Sequence, residues 1–459
     1  MDEVVLRPAP PGLVVAGWIA VAVACGALAV VAPLVLVGLG GLLLALVVLL
    51  RLPREVLPSL ALAVYALVPL HNLPVPDTVS TLSPSLGICL VWVFRLRRDG
   101  LVCPGVRDGR LLAVGALLAG GLLAASALHG HELKTGVGWS VAFGLNVLLV
   151  AGALRREGQR TRELVVATWV ALAGVLGVYG VLEAFVLHTN PFSDLIVRLG
   201  GTDIPQVWST YRATTTLGHP LENAGFFALG AVLALARAVR TGSRWYALAV
   251  VSCLAGLAAT ASRGASVAAL LGVVWVLAAE RRRAPRARVV AVAATLALAV
   301  AAAGVVQLTR SGSLEADRST QYRTATLHSG LGSVHDHPWL GVGPGASAVV
   351  KAEQGGSLGD LSYENGWLET AISDGLPFLL ILVAMFAAGL WVAWRRVHVA
   401  AGAALAVAVI VIASSDVLEG NRVGLLRFGV LLGLAWTPAA APRPEPRSEP
   451  QPAMAAYRP

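Results

Sequence analysis

Three short stretches of this 459-residue chain concentrate side chains able to hold an anion or move a proton. YRATTTLGHPLENAGFF at 211–227 carries Arg212, His219 and Glu222, and TASRGASVAALLG at 260–272 carries Arg263. YRTATLHSGLGSVHDHPWLGVGPG at 322–345 and SYENGWLETAISDGLPF at 362–378 carry Arg323, His328, His335, His337, Glu364, Asn365 and Asp374. An arginine fork binds phosphate oxygens in pairs and keeps its charge near a membrane, so Arg212 and Arg323 suit an anionic ligand. A single such arginine pairs as well with lipid phosphates; two at the heart of polar motifs favour a site. Arg263 sits in a tight turn, where it either touches a ligand or snorkels to the membrane interface. Glu364 has the chemistry of a general base, which needs reach and a suitable pKa more than one side-chain type. Its plainer reading is a solvated loop carboxylate. His335 and His337 lack a convincing third ligand, so no metal is expected, and His337 shapes the turn before Pro338. Gly341, Gly343 and Gly345 permit close backbone approach there. His219 and Glu222 open an apolar run and line the same region, and Glu183 ends another such run, a default place to look for a site.

The elements that hold these residues are set by composition. Hydrophobic residues make up 56% of the chain and charged ones 13%, whereas a soluble fold carries about a quarter charged. The charges bunch between long apolar runs, as they do when lipid is the main solvent. The fold class is therefore an all-α polytopic membrane protein of about 12–14 helices, with a large external loop carrying short helices. Spans are predicted near 12–30, 31–50, 56–72, 81–96, 110–128, 136–155, 164–188, 219–239, 245–260, 264–280, 288–308, 376–394, 399–416 and 423–438. The resulting organisation is N-terminal spans over 1–188, an external loop at 189–218, spans over 219–308, and a large external loop at 309–375. Closing spans over 376–438 and a Pro- and Ala-rich disordered tail at 439–459 follow. The first apolar run continues into the second without a convincing cleavage site, which predicts an uncleaved anchor.

The net charge of +9 comes from arginines in short loops and calls for no nucleic-acid partner. Arg51, Arg54, Arg95, Arg97, Arg98, Arg107, Arg110, Arg155, Arg156, Arg160 and Arg162 fall in alternate loops. Arg237, Arg240, Arg244, the cluster at 281–288, Arg395 and Arg396 continue the series. The positive-inside rule makes that side cytoplasmic, with both termini on it, and puts the polar motifs on the external face of a bacterial inner membrane. All histidines except His398 map to the external side. Cys25, Cys89, Cys103 and Cys253 show neither a disulfide framework nor a zinc pattern.

The order and spacing of the motifs resemble those of the O-antigen ligases and O-antigen polymerases of bacterial envelope assembly. The matching residues are Arg212 with Gly218 and Pro220; Ser262, Arg263 and Gly264; Arg323 with His337, Pro338, Gly341 and Gly343; and Asn365 with Asp374 and Gly375. The likeness covers roughly 205–395 and the many-span layout. It implies an enzyme that moves a glycan from a polyprenyl-diphosphate donor to a glycan or lipid acceptor. Arg212 and Arg323 would act in catalysis and on the donor, and Arg263, His219, His337 and Asn365 in binding substrate. Where that family usually carries a histidine before the asparagine, as base on the acceptor hydroxyl, this chain has Glu364. Charge grows on the leaving diphosphate as the anomeric bond breaks, so fixed cations stabilise the transition state more than the ground state. That leaving group is good already, so a metal is optional, and no cofactor is expected. Two other readings remain open: a flippase or transporter of lipid-linked oligosaccharide, and an inactive partner within an envelope-synthesis complex. Transporters carry internal repeats and charges deep at the bilayer midplane, and neither is visible here.

Overall fold

The computed structural model describes residues 45–68, 83–99, 106–130, 132–198, 211–280, 314–353, 363–396, 398–416, 418–419 and 422–437. The expected spans at 12–30 and 288–308, most of that at 31–50, Cys25, Cys103, the 281–288 arginines and the 439–459 tail lie outside the described residues. The chain divides into two compact units, Met1–Leu57 and Pro58–Pro459. The described part of the first is a helical stretch ending near Arg51, then a 3-10 turn Arg54–Val56 whose start is set by Pro53.

The second unit is built from helices. They are α1 (Leu57–Leu67), α2 (Pro84–Arg98), α3 (Val106–His129), α4 (Leu133–Phe143), α5 (Val150–Arg156), α6 (Gln159–Leu182) and α7 (Pro191–Arg198). Then come α8 (Pro220–Thr241), α9 (Arg244–Ala259), α10 (Arg263–Glu280), α11 (Leu314–Asp336), α12 (Ser347–Glu353), α13 (Gly366–Arg395), α14 (Val399–Ala413) and α15 (Leu425–Ala435). A π-helical segment, Gly144–Leu149, joins α4 to α5, and a π-turn, Glu183–Leu187, extends α6. Six of these stretches are long and apolar enough to cross a membrane, and α9, α14 and α15 are shorter apolar helices. Among the described residues no strand occurs. Lipid offers no partner for a free amide or carbonyl, so an apolar chain satisfies both within helices. The protein is an all-α polytopic membrane protein.

Helix α8 is the centre, packed by α6, α9, α10 and α14. Small residues allow the closeness. A Cβ on Gly256 of α9 would lie 2.6 Å from the Gly177 Cα of α6, so only two glycines let these backbones meet. Helix starts are marked as the sequence suggests, by Pro84 behind Ser83 and Pro220 behind His219.

Helix α13 departs from expectation. A loop was predicted to Gly375 and a span from 376, but helix runs back to Gly366 and breaks at Gly375, where φ is 82°. Part of the expected 309–375 loop is thus the head of a 30-residue helix. The same region holds the 23-residue α11 besides the short α12.

Alternate helix ends gather at two faces. At one, Arg155 Nε donates to Trp436 O at 3.2 Å and Arg396 Nη1 to Thr437 O at 2.7 Å. Arg240 pairs there with Glu280 at 2.6 Å, and the charges of Arg162, Arg396 and Arg240 all reach His398. The other face carries the starts of α8, α10 and α13 and the stretches at 211–219, 260–262 and 414–416.

Candidate functional site

Arg212 lies in the turn that leads into α8. Its Nε donates to Thr260 O at 2.8 Å, and the amide of the next residue, Ala213, donates to Ala259 O at 3.1 Å. The first motif is thereby sewn to the end of α9 and the Ser262-Arg263-Gly264 turn. Ala261 takes a left-handed φ of 54° and Ser262 Oγ accepts from Ala265 N at 3.4 Å, so the turn closes on a capped α10. Gly264 has no room for a side chain, because a Cβ would stand 2.4 Å from Ser414 Oγ. Arg263 is exposed on the first turn of α10.

Arg323 projects from α11 and Glu364 from the residue before the α13 cap. Arg323 Nε and Glu364 Oε2 are 2.6 Å apart, with side chains 47% and 32% exposed. Their alignment follows from packing lower down. Gly330 lets α11 lie on α13, since a Cβ there would reach 2.7 Å from Leu368 Cδ2. Asn365 is the N-cap of α13, with Oδ1 accepting from Trp367 N at 3.1 Å and Leu368 N at 3.2 Å. It fixes where Glu364 leaves the helix, and its carbonyl oxygen is engaged in capping.

His219 joins the two halves. Burial holds its pKa below the usual histidine range; Asp416 opposes this, Arg212 adds to it, and Glu364 opposes it. The charges of Arg212, Glu364 and Asp416 thus all reach one ring. The His219 Nδ1 accepts from Leu221 N at 3.3 Å as the cap of α8. This bond assigns the proton of the neutral ring to Nε2.

One turn further along α8, the buried Glu222 pairs with Arg427 of α15, with Oε2 and Nη1 2.5 Å apart. Arg427 is wholly buried, and Asp416 lies within electrostatic reach of it, of Glu222 and of His219. Sequence reading passed over Arg427 and Asp416. An arginine in the apolar run GLLRFGVLLG was a sufficient signal for the first. Asp416 stood in the polar stretch SSDVLEGNR, where only its neighbours in space distinguish it from Glu419.

The His-Pro-Trp-Leu-Gly-Val-Gly stretch has a different task. Val342 N and Gly343 N donate at 2.9 Å to the carbonyls of Ile372 and Ser373, and Leu376 N donates to Pro338 O at 2.8 Å. These groups lose helical partners at the α13 break, and the loop supplies replacements. Gly341 and Gly375 both have positive φ, and a Cβ on either would lie 2.3 Å from a backbone oxygen of the other segment. His337 is exposed at this plug. Behind the plug, Asp374 is buried, and Ser347 Oγ donates to Glu419 at 2.5 Å. Burial pushes the Glu419 carboxyl up to about 7. Among the described residues no group of three His, Cys, Asp or Glu side chains is placed to ligate a metal ion.

The bundle of apolar helices thus carries an exposed Arg323–Glu364 pair, with Arg212 and His219 at the entry to α8. Residues 248–383 match the O-antigen ligase family model, in agreement with the motif resemblance. That segment contains Arg263, Arg323, His337, Glu364 and Asn365, whereas Arg212 and His219 precede it. The match supports glycan transfer of the O-antigen ligase or polymerase type. No curated protein matches the chain.

Proposed function

We propose that this protein transfers a glycan from a polyprenyl-diphosphate donor to an acceptor hydroxyl at the external face of the bacterial inner membrane. The observation that carries the reading is the Arg323–Glu364 ion pair, together with the charges of Glu364 and Arg212 both reaching His219, from three separated motifs. The arginine-capped face of the bundle is then the cytoplasmic one, with both termini on that side.

In this reaction the acceptor oxygen attacks the anomeric carbon, and the bond from that carbon to the diphosphate oxygen breaks. The leaving oxygen keeps the bonding electrons, and Arg212 and Arg323 neutralise the charge that grows there. The acceptor proton passes to Glu364. The resting ion pair gives these events an order, because an exposed pair holds weakly and a diphosphate offers Arg323 more charge than a carboxylate does. Donor binding thus frees Glu364 to act as base. Asn365 fixes its position, His219 donates through Nε2, and Arg263 and His337 stand on the rim for acceptor contacts.

The test is a set of chromosomal variants in which surface glycan and lipid-linked donor are measured together. Arg212→Ala and Arg323→Ala, present at normal levels, should accumulate donor and lose transferred glycan. Glu364→Gln should block transfer while leaving donor bound. Unchanged surface glycan in both arginine variants would overturn the reading.

A further inference from the structure

The reaction outlined above makes no use of Glu183, yet this carboxylate is fully buried at the start of the π-turn ending α6. Four donors meet it. Oε1 accepts from the Tyr211 hydroxyl at 3.0 Å, from Thr214 N at 2.8 Å and from Thr214 Oγ1 at 2.8 Å. Oε2 accepts from Thr215 N at 2.9 Å. Every one of these donors lies within three residues of Arg212 in the chain. An ionised carboxylate is acceptor only, so the donor set matches that form without a surplus hydrogen.

Neighbouring amides complete the grip. Asn190 Nδ2 donates to Thr214 Oγ1 at 2.7 Å and to Thr215 O at 2.9 Å, while Asn223 makes short bonds to Thr214 O and Thr215 Oγ1. Thr215 has φ of 41°, a region that β-branched residues avoid, so the turn needs outside bonds to persist. The two preceding residues continue from the held 214–215 pair onto the carbonyls of Ala259 and Thr260.

We propose that Glu183 is a positioning residue: it folds the 211–215 turn into the conformation that presents Arg212 to the donor diphosphate, and touches no substrate itself. This rests on the assignment of Arg212 under the proposed function. Loss of the carboxylate releases four donors at once, and Arg212 then samples many orientations of which few face the site.

The experiment is a double-mutant cycle between Glu183→Ala and Arg212→Ala, read as glycan transfer in cells. Purified full-length variants are also tested for binding of undecaprenyl diphosphate, with folding checked by thermal unfolding. Glu183→Ala should lower transfer about 100-fold, close to the effect of Arg212→Ala, and the double variant should fall no further. Binding of undecaprenyl diphosphate should weaken about tenfold, and Glu183→Asp should recover part of it. Thr214→Val removes one donor while keeping its shape. It should give a smaller loss with the same non-additivity, and keeps the test sound if Glu183→Ala does not fold. Additive losses, or undiminished binding in folded Glu183 or Thr214 variants, overturn the positioning role and leave Arg212 standing. Full transfer by Arg212→Ala overturns both.

Discussion

The two ends of the helical bundle are both rich in arginine and use it differently. At one end Arg155 and Arg396 close the last turns by donating to the carbonyls of Trp436 and Thr437, and Arg240 pairs with Glu280. These cations answer unsatisfied groups at helix C-termini, where the dipole also favours them. At the other end Arg212 spans two motifs, Arg323 holds a half-exposed carboxylate, and Arg427 is sealed in the bundle against Glu222. There Arg323 and Arg427 are matched by carboxylate side chains and Arg212 by the Thr260 carbonyl. Arginine content alone does not distinguish the two ends.

Breaking the sealed pair should have the largest effect. Arg427→Ala leaves Glu222 buried without a partner, and about 3–5 kcal/mol of stability is expected to be lost. The amount of folded protein in membranes should drop sharply, and Arg427→Ala with Glu222→Gln should recover part of it. If the single variant accumulates normally, the pair is not structural. Next come the two arginines of the candidate site. Replacing either Arg212 or Arg323 by alanine should reduce transfer about 100- to 1,000-fold at nearly unchanged stability, as expected for one lost transition-state contact. Lysine at the same positions should recover only part, because it lacks the paired donors.

A smaller effect is expected from pH at His219. Its folded pKa is depressed by burial, so its stabilising contribution is complete above the unfolded value near about 6.5 and is lost as pH falls below it. Thermal unfolding should therefore drop between pH 7.5 and 5 by more in the natural protein than in His219→Asn, which keeps a cap acceptor. Equal slopes would remove His219 from this role. The smallest change belongs to the capping end. Arg396→Ala should cost about 1 kcal/mol of stability and leave transfer intact, since one carbonyl bond is lost far from the site. A large loss of transfer there would erase the contrast between the ends.

Much of the layout was legible in the sequence. Apolar runs bounded by arginines gave helices at nearly the expected places wherever residues are described, because a lipid-facing backbone has few alternatives. Arg212, Arg323 and Glu364 were legible as candidates from residue type and motif; the structure pairs Arg323 with Glu364 and ties Arg212 to the end of α9. His337 and Asn365 were legible as positions but not as roles. The asparagine caps α13, and the histidine begins a loop whose backbone plugs the break at Gly375. A motif rich in glycine reads the same whether it approaches a ligand or another backbone.

The sequence by itself determined that this chain crosses a membrane many times, that its arginines fall between apolar runs, and that polar chemistry is confined to a few stretches. Those properties follow from local hydropathy and charge, which act over one span. Only the tertiary structure decided which polar groups meet. The Arg323–Glu364 pair is 41 residues apart in the chain. Glu183 and the turn carrying Arg212 come from different elements, and Arg427 finds Glu222 across more of the chain still. Such partners are selected by how glycine-lined helices pack and by the need of each buried donor and acceptor for the other, and neither is written in a single stretch of sequence.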